Sequence, residues 1–528
     1  MAINTPLLGI LVLIYLIVVF YFGWLGYKQT KNTDDYMLAG RKVNPFVLAL
    51  SYGAAFISTS AIIGFGGYAG AFGMGVLWLV FMNIFIGIFI AFIIFGSRTR
   101  RMGANLKAVT FPELIGKRYQ SRFIQGFSGA LITIFMPLYA GGVLIGGARF
   151  MEVALDINYN TAVLLLAVIV AAYVISGGLI AVMYTDALQG ALMFVGMAML
   201  FVLTYSKLGG ISTAHQSLTD MAHLVPENLA AIGHTGWTSM PTIGSPVWWT
   251  LFSTIILGVG IGVLAQPQLA VRFMTVESTR SLKRAVLSGG PFIFMMAGVA
   301  YVVGALSNVY FLDTRGVISL EAAGGNIDKI MPEYIYSAMP DYFVIFFLLT
   351  LLAAAMSTLS SQFHTMGTAI GHDFYREFVM KGKIGNTINI TRLGIATTIV
   401  ISVTLAYVLP IGIIARATAI FFGLCAAAFL PMYSGAIFWK RMNRQGATAS
   451  LLVGTFASLF WLTFVHAKEA NALGISQALF GKATLLTGTW TLVDPILVAT
   501  PLAFVVAIVV SLMTKPDSEE HIELCFKK

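Results

Sequence analysis

The chain has 528 residues, 58% of them hydrophobic and only 10% charged, with a mean hydropathy of +0.86. Soluble domains carry about 25% charged residues, so this composition excludes an ordinary soluble enzyme and describes an integral membrane protein. The net charge of +10 needs no nucleic acid, because the basic residues collect in connections on one side of a bilayer. Cys425 and Cys525 lie far apart and give neither a disulfide framework nor a metal spacing.

From Met1 to Leu8 no positive charge precedes the apolar run, which continues to Trp24 without a small-residue cleavage site. It reads as a spanning helix and not as a signal peptide. About thirteen apolar segments are long enough to span: 6–28, 44–71, 72–97, 123–148, 160–184, 186–207, 247–271, 285–310, 341–371, 390–409, 411–438, 446–466 and 491–514. Thirteen spans put the termini on opposite sides. Of the 32 Lys and Arg, 25 fall on one side, in groups that include Lys28 to Lys42, Arg98 to Arg122, Arg272 to Arg284 and Arg376 to Arg392. This predicts a multi-pass protein of the plasma (inner) membrane with the N-terminus outside and the C-terminus cytoplasmic. Connections 208–246, 311–340 and 467–490 then fall outside and can cover a vestibule. Residues 111–121 read as a short surface helix on the cytoplasmic side.

Two spans are interrupted by small residues. The second runs Ser51-Tyr52-Gly53 to Gly64-Phe65-Gly66-Gly67, and the seventh runs Leu257-Gly258 to Gln266-Pro267-Gln268. Unwound backbone at membrane depth survives only where it lines a buried site or water. Interruptions five spans apart suit two five-helix halves of opposite orientation, with a site between them. Glycine-rich close packing is the alternative.

Within the ninth span, Ser357, Ser360 and Ser361 stand at i, i+3 and i+4, on one helical face. Thr358 is beside them, and Ala354 lies a turn earlier. Such oxygens can ligate a small hard cation, or they can let two helices pack closely. Asp186 falls near the junction of two spans with no Lys or Arg within a turn or two. A carboxylate at membrane depth costs roughly 2.5–3.5 kcal/mol on insertion scales unless it finds a partner. A cation shared with the Ser360/Ser361 face would be one; solvation by headgroups is the alternative. His364 reads as a hydrogen-bonded packing residue, and Asp34, Asp35, Glu519 and Glu520 read as solvated. No Walker-type loop, metal cluster or nucleophile elbow occurs, so no enzyme is expected.

Gly147-Ala148-Arg149 with Glu152, Thr185-Asp186 with Gln189, Gln266-Pro267 with Arg272, and Ser357-Thr358-Leu359-Ser360 together resemble the sodium/solute symporter family. The similarity covers about 30 to 440 and is nearest the sodium/proline branch. It implies an all-α polytopic membrane protein of about 13 transmembrane helices, with two inverted five-helix repeats (a LeuT-like fold) working by alternating access. The implied division is an additional N-terminal helix and loop (1–43), a first repeat (44–207), an extracellular loop (208–246), a second repeat (247–438) and C-terminal helices with a tail (439–528).

The resemblance also implies a sodium site from Ala54, Ile57, Ala354, Ser357 and Thr358, and a second sodium set from Asp186, Ser357, Ser360 and Ser361. In the solute site, Tyr139 and Pro267 match the branch. Proline carriers, however, have an aspartate where this chain has Phe56, and a tryptophan and a tyrosine where it has Val259 and Val263. What remains is a more apolar pocket with Ser58, Thr59, Ser60 and Gln266 as neutral hydrogen-bonding groups. It fits a short monocarboxylate or an amino acid such as proline, with sugars still open. Sodium is the implied coupling ion, with no other cofactor; the partners are sodium, the solute and the lipid bilayer. A proton-coupled carrier that protonates Asp186, and a non-transporting solute sensor, are the rival readings.

Overall fold

The computed structural model describes residues 5–382 and 387–527. Lys383, one of the basic residues counted above, lies outside them. Among the described residues, ten helices are long and apolar enough to cross a membrane, two bent pairs each supply one more span, and Tyr159–Ala172 adds a shorter apolar helix. Every segment expected from the sequence therefore has a helical counterpart.

In chain order, α1 (Thr5–Gln29) is followed by the bent pair α2 (Pro45–Phe56) and α3 (Ser60–Phe72), which meet at 53°. Then come α4 (Met74–Asn105), the short α5 (Phe111–Arg118), α6 (Arg122–Leu155) and α7 (Tyr159–Lys207). After the 208–246 connection follow α8 (Pro246–Ala265), α9 (Thr279–Arg315), α10 (Asp341–Val379) and α11 (Ile388–Val408). A second bent pair, α12 (Ile414–Ala428) and α13 (Leu430–Phe438), meets at 45° and precedes α14 (Arg444–Phe464) and α15 (Ile496–Met513). The most apolar stretch of α10 is 94% buried inside the protein, whereas that of α1 is 22% buried. Thus α10 is the axis of the bundle and α1 faces lipid. The helices packed on α10 include α2, α6 and α7.

Three local features differ from the sequence expectation. The fifth and sixth spans are not separated near Tyr184: α7 runs through both and kinks at Gly178, whose φ is +63°. A Cβ there would come within 2.8 Å of the Tyr36 ring, so glycine is required for both conformation and space. Asp186 consequently lies two turns inside the sixth span, fully buried, which removes the headgroup alternative. The eleventh span is broken rather than continuous, because Pro431 cannot donate the hydrogen bond that would carry α12 into α13.

Residues 111–118 do form a helix, yet it is not a surface one: every residue of α5 except Lys117 is buried. Its start is fixed locally. Thr110 Oγ1 accepts from the Glu113 amide (3.1 Å), and the Glu113 carboxylate accepts from the Val109 amide (2.7 Å), in the manner of a capping box. Glu113 also faces His372 Nε2 at 3.3 Å and Lys117 Nζ at 2.9 Å. Burial alone would raise its pKa, but the His372 hydrogen bond and charge, Lys117 and the Val109 amide hold it down at about 2. A depressed carboxyl contributes stability that is present above its ordinary value and lost as pH falls toward the folded value. Glu113→Gln should therefore lower the melting temperature in detergent at pH 7, by an amount corresponding to about 1–3 kcal/mol. The gap to wild type should narrow only below the ordinary value of 4.5. A gap that is constant down to pH 3 would mean that the charge of Glu113 is not what anchors α5.

Candidate functional site

The first break begins where Ile57 leaves helical geometry (φ −90°, ψ 101°), its amide still donating to Gly53 O at 2.8 Å. The carbonyl of Ala54, one turn before the break, is met by two hydroxyls from α10. Ser357 Oγ donates to it at 3.0 Å and Thr358 Oγ1 at 3.2 Å, and Ser357 Oγ also lies 3.2 Å from Ala354 O. Ala54, Ala354, Ser357 and Thr358 thus converge, all buried, in a cluster of oxygens joining α2 to α10. Ile57 stands at the break itself. An all-oxygen cluster of this kind is the chemistry that hard monovalent and divalent cations take.

One turn along α10, Ser360 Oγ donates to Asp186 Oδ1 at 3.1 Å and Ser361 Oγ to Oδ2 at 3.2 Å. Asp186 also has a charged partner that the local sequence does not reveal. Arg272, 1% exposed, places one terminal nitrogen 2.8 Å from Asp186 Oδ2 and 2.5 Å from Ser361 Oγ. Its Nε donates to Ser51 Oγ at 3.1 Å, and Ser51 in turn donates to Asp186 Oδ2 at 3.1 Å. Arg272 therefore does not belong with the surface charges among which the sequence reading counted it. It closes a buried network over α2, α7, α10 and the segment after the second break.

That second break is at Gln266 (ψ 117°), followed by Pro267 in the first turn of a short helix. It falls at the end of the glycine-rich run, not within it. The space between the two breaks is apolar. Phe56 stacks on Phe422 (centroids 6.2 Å apart), and Tyr139 meets Phe422 edge-on at 5.4 Å. A Cβ built on Gly87 would touch Phe56 and Val263 together, so these two side chains face the same point.

The neutral polar groups divide. Thr59 Oγ1 is spent on Val143 O (2.7 Å), while Ser58 Oγ accepts from the Ser60 amide (3.1 Å) and lies 3.5 Å from the Tyr139 hydroxyl. Gln266 donates to Gly262 O at 3.5 Å and accepts from Gln268 at 3.1 Å. Ser60 Oγ is buried without a partner among the described residues.

The model of the sodium:solute symporter family matches residues 36–454. The chain belongs to this family. Among curated relatives, the symporter is 31% identical to the osmoregulated proline transporter OpuE of Bacillus subtilis, over 88% of this chain and 90% of that one. It is 27% identical to sodium/proline symporter 2 of Staphylococcus saprophyticus, over 91% of this chain and 89% of the other. Its fold is similar to that of a Na+-coupled sialic acid symporter in a substrate-bound outward-open state, with a TM-score of 0.72 at 19% identity, covering 96% of this chain and 97% of that one. A complex of MhsT with L-phenylalanine gives 0.50 at 13% identity, covering 89% and 99%. The symporter thus has the LeuT-type architecture, and its activity is sodium-coupled import of a solute.

Sequence reasoning missed Ser51, the pairing of Arg272 with Asp186, and the aromatic wall of the symporter, in which Phe422 is joined by Phe421, stacked on Tyr139 with centroids 6.2 Å apart. The signal that could have pointed to Phe422 is Pro431, which interrupts the same span and was not read as a break.

Proposed function

We propose that the chain accumulates a short apolar monocarboxylate together with sodium. The observation that carries this reading is the make-up of the space between the breaks. Phe56, Val263, Tyr139 and Phe422 meet there, and Ser60, in the first break, has a buried neutral hydroxyl without a partner among the described residues. A solute with one apolar body and one carboxylate can bury the body on the rings and take hydrogen bonds on the other end. A cationic amine would need a charged or carbonyl acceptor that Phe56 does not supply.

In this reading Ala54, Ile57, Ala354, Ser357 and Thr358 hold the sodium that fastens α2 to α10, so that sodium binding favours the solute-ready state. Asp186, Ser357, Ser360 and Ser361 form a second set. Spans two to six and seven to eleven act as inverted repeats that rock against each other. The end of the bundle rich in Lys and Arg faces the cytoplasm, the N-terminus lies outside, and the membrane is the plasma (inner) membrane. Proline is the second reading, favoured by the two proline carriers among the relatives.

The test is uptake into proteoliposomes under an inward sodium gradient, with labelled proline, acetate, pyruvate, lactate and sugars. Accumulation of a monocarboxylate that collapses when potassium replaces sodium supports the first reading; accumulation of proline alone replaces it with the second. Uptake driven equally by a proton gradient would make Asp186 a proton carrier, and none under either gradient would favour a sensor. In the same assay Phe56→Ala should raise the solute KM about tenfold, as the loss of about 1.5 kcal/mol of ring contact predicts. An unchanged KM would remove Phe56 from the solute site.

A further inference from the structure

Beyond Ser361, α10 carries more polar residues toward its basic end: His364, Thr365, Thr368, His372 and Asp373, none more than 8% exposed. With Ser357 and Ser361 they recur every three or four positions, so they form one stripe along the helix. At 1.5 Å per residue the stripe runs for about 24 Å, from the Ser357 oxygens to Asp373. The last part of α10, Ala369–Val379, is π-helical, a form concentrated at functional positions.

Several atoms of this stripe lack partners among the described residues. The His364 ring packs beside Tyr36 (centroids 5.5 Å apart), as a packing residue would, but both its nitrogens are buried without the hydrogen bond expected from the sequence. Asp373 is wholly buried. Its Oδ1 accepts from Thr110 Oγ1 (2.7 Å) and from Gln125 Nε2 (2.8 Å), but its Oδ2 has no partner. Of the nearby cations, Lys117 faces Glu113 at 2.9 Å and Arg376 faces Glu377 at 3.5 Å; His372, next in the chain to Asp373, turns its Nε2 toward Glu113 at 3.3 Å and reaches Asp373 only through its charge.

These groups share a small chamber. His364, Thr365, Thr368 and Asp373 supply its polar wall with Thr110, and apolar side chains, among them Met37, Phe111, Val271 and Pro267, close the rest. Its volume is about 10 Å³, room for a single water-sized occupant. Pro267 belongs to the second break, so the chamber lies directly below the candidate solute and sodium sites. A buried carboxylate with an open oxygen stays ionised only where positive charge reaches it, and His372, held on Glu113, leaves the Asp373 Oδ2 side open to a small cation.

We propose that this chamber is a sodium station on the cytoplasmic exit route. It takes the ion after it leaves Ser357 and Thr358, holding it on Asp373 Oδ2 with the Thr365 and Thr368 oxygens before release. This rests on the sodium site and the orientation argued under Proposed function.

The test uses the full-length chain in oriented proteoliposomes and measures how internal sodium inhibits net uptake, relative to how external sodium activates it. Asp373→Asn keeps an oxygen for Thr110 and Gln125 and removes only the charge. The ratio of internal half-inhibiting to external half-activating sodium should rise about tenfold, since the ion loses its one full countercharge. Gln125→Met, which cuts a clip to Asp373 but leaves the carboxylate, should keep the wild-type ratio.

An unchanged ratio in Asp373→Asn overturns the station. So does an equal rise in Gln125→Met, which would make Asp373 a clamp on its neighbours. Inhibition that follows internal pH at fixed sodium, and disappears in Asp373→Asn, would give the chamber to a proton and overturn the sodium assignment. If Asp373→Asn does not reconstitute, Thr368→Val carries the same comparison through loss of one oxygen. Absence of external sodium activation in the wild type would instead strike the coupling reading underneath.

Discussion

Ser357→Ala is expected to raise the external sodium concentration for half-maximal uptake by about tenfold or more. The hydroxyl is fully buried and lies 3.0 Å from Ala54 O and 3.2 Å from Ala354 O, so a cation between α2 and α10 would lose one of few oxygen ligands. Leaving a buried polar partner unsatisfied costs about 1–3 kcal/mol, which is roughly a factor of 5 to 150 in an equilibrium constant. Alanine is slightly smaller and a better helix former, so a role in helix packing alone predicts ordinary sodium dependence. Thr358→Val should act in the same direction, and Thr358→Ser, which keeps the oxygen, should not. Because coupling is reciprocal, the apparent solute affinity at fixed low sodium must fall by a related factor. Sodium activation curves for these variants in proteoliposomes decide it: coincidence of Ser357→Ala with wild type would take Ser357 out of the ion site.

That this hydroxyl cluster was legible in the sequence has a physical reason. Hydroxyls at helical spacing inside an apolar segment are costly without a partner, so their presence advertises a contact. The first two breaks are advertised in the same way, by glycines and by Pro267, whereas the one at Pro431 is passed over because the span around it is uniformly apolar. Long-range pairing is not. Arg272 stands 86 positions from Asp186, and nothing local distinguishes it from the loop arginines that follow it. Charge counting assigns every arginine near a span end to the surface, whereas folding carries this one into the bundle. The kink at Gly178 escaped for a different reason: both sides of it are equally apolar, so hydropathy sets no boundary there. Phe421 and Phe422 look like any aromatic pair in a membrane helix until folding sets the Phe422 ring beside Phe56 and Tyr139.

Arg272→Met should be the most damaging single change in the network and, at the same time, the most informative about a second sodium. The pair is fully buried, with Arg272 also bonded to Ser51, Ser361 and the Gln268 carbonyl (2.5 Å). Removing one member of a buried pair strands the other charge, at a cost of about 3–5 kcal/mol, and replacing both can be nearly neutral. Arg272→Met should accordingly lose much of its thermal stability in sodium-free detergent, and the double variant Asp186→Asn/Arg272→Met should regain most of it. With the guanidinium gone, Asp186, Ser360 and Ser361 are left as an anionic oxygen set one turn from Ser357. If that set takes sodium, the ion substitutes for the missing arginine, and sodium should raise the melting temperature of Arg272→Met more steeply than that of wild type. The extra sodium response should vanish in the double variant. Equal sodium responses in all three proteins would leave Asp186 as a structural anchor, with the Ala54, Ser357 and Thr358 oxygens as the one coupling site. A steeper response in Arg272→Met alone would mean that Arg272 and sodium compete for one carboxylate. Release of the arginine would then be a step of the transport cycle, because the second ion can enter only when the segment beyond Pro267 has moved.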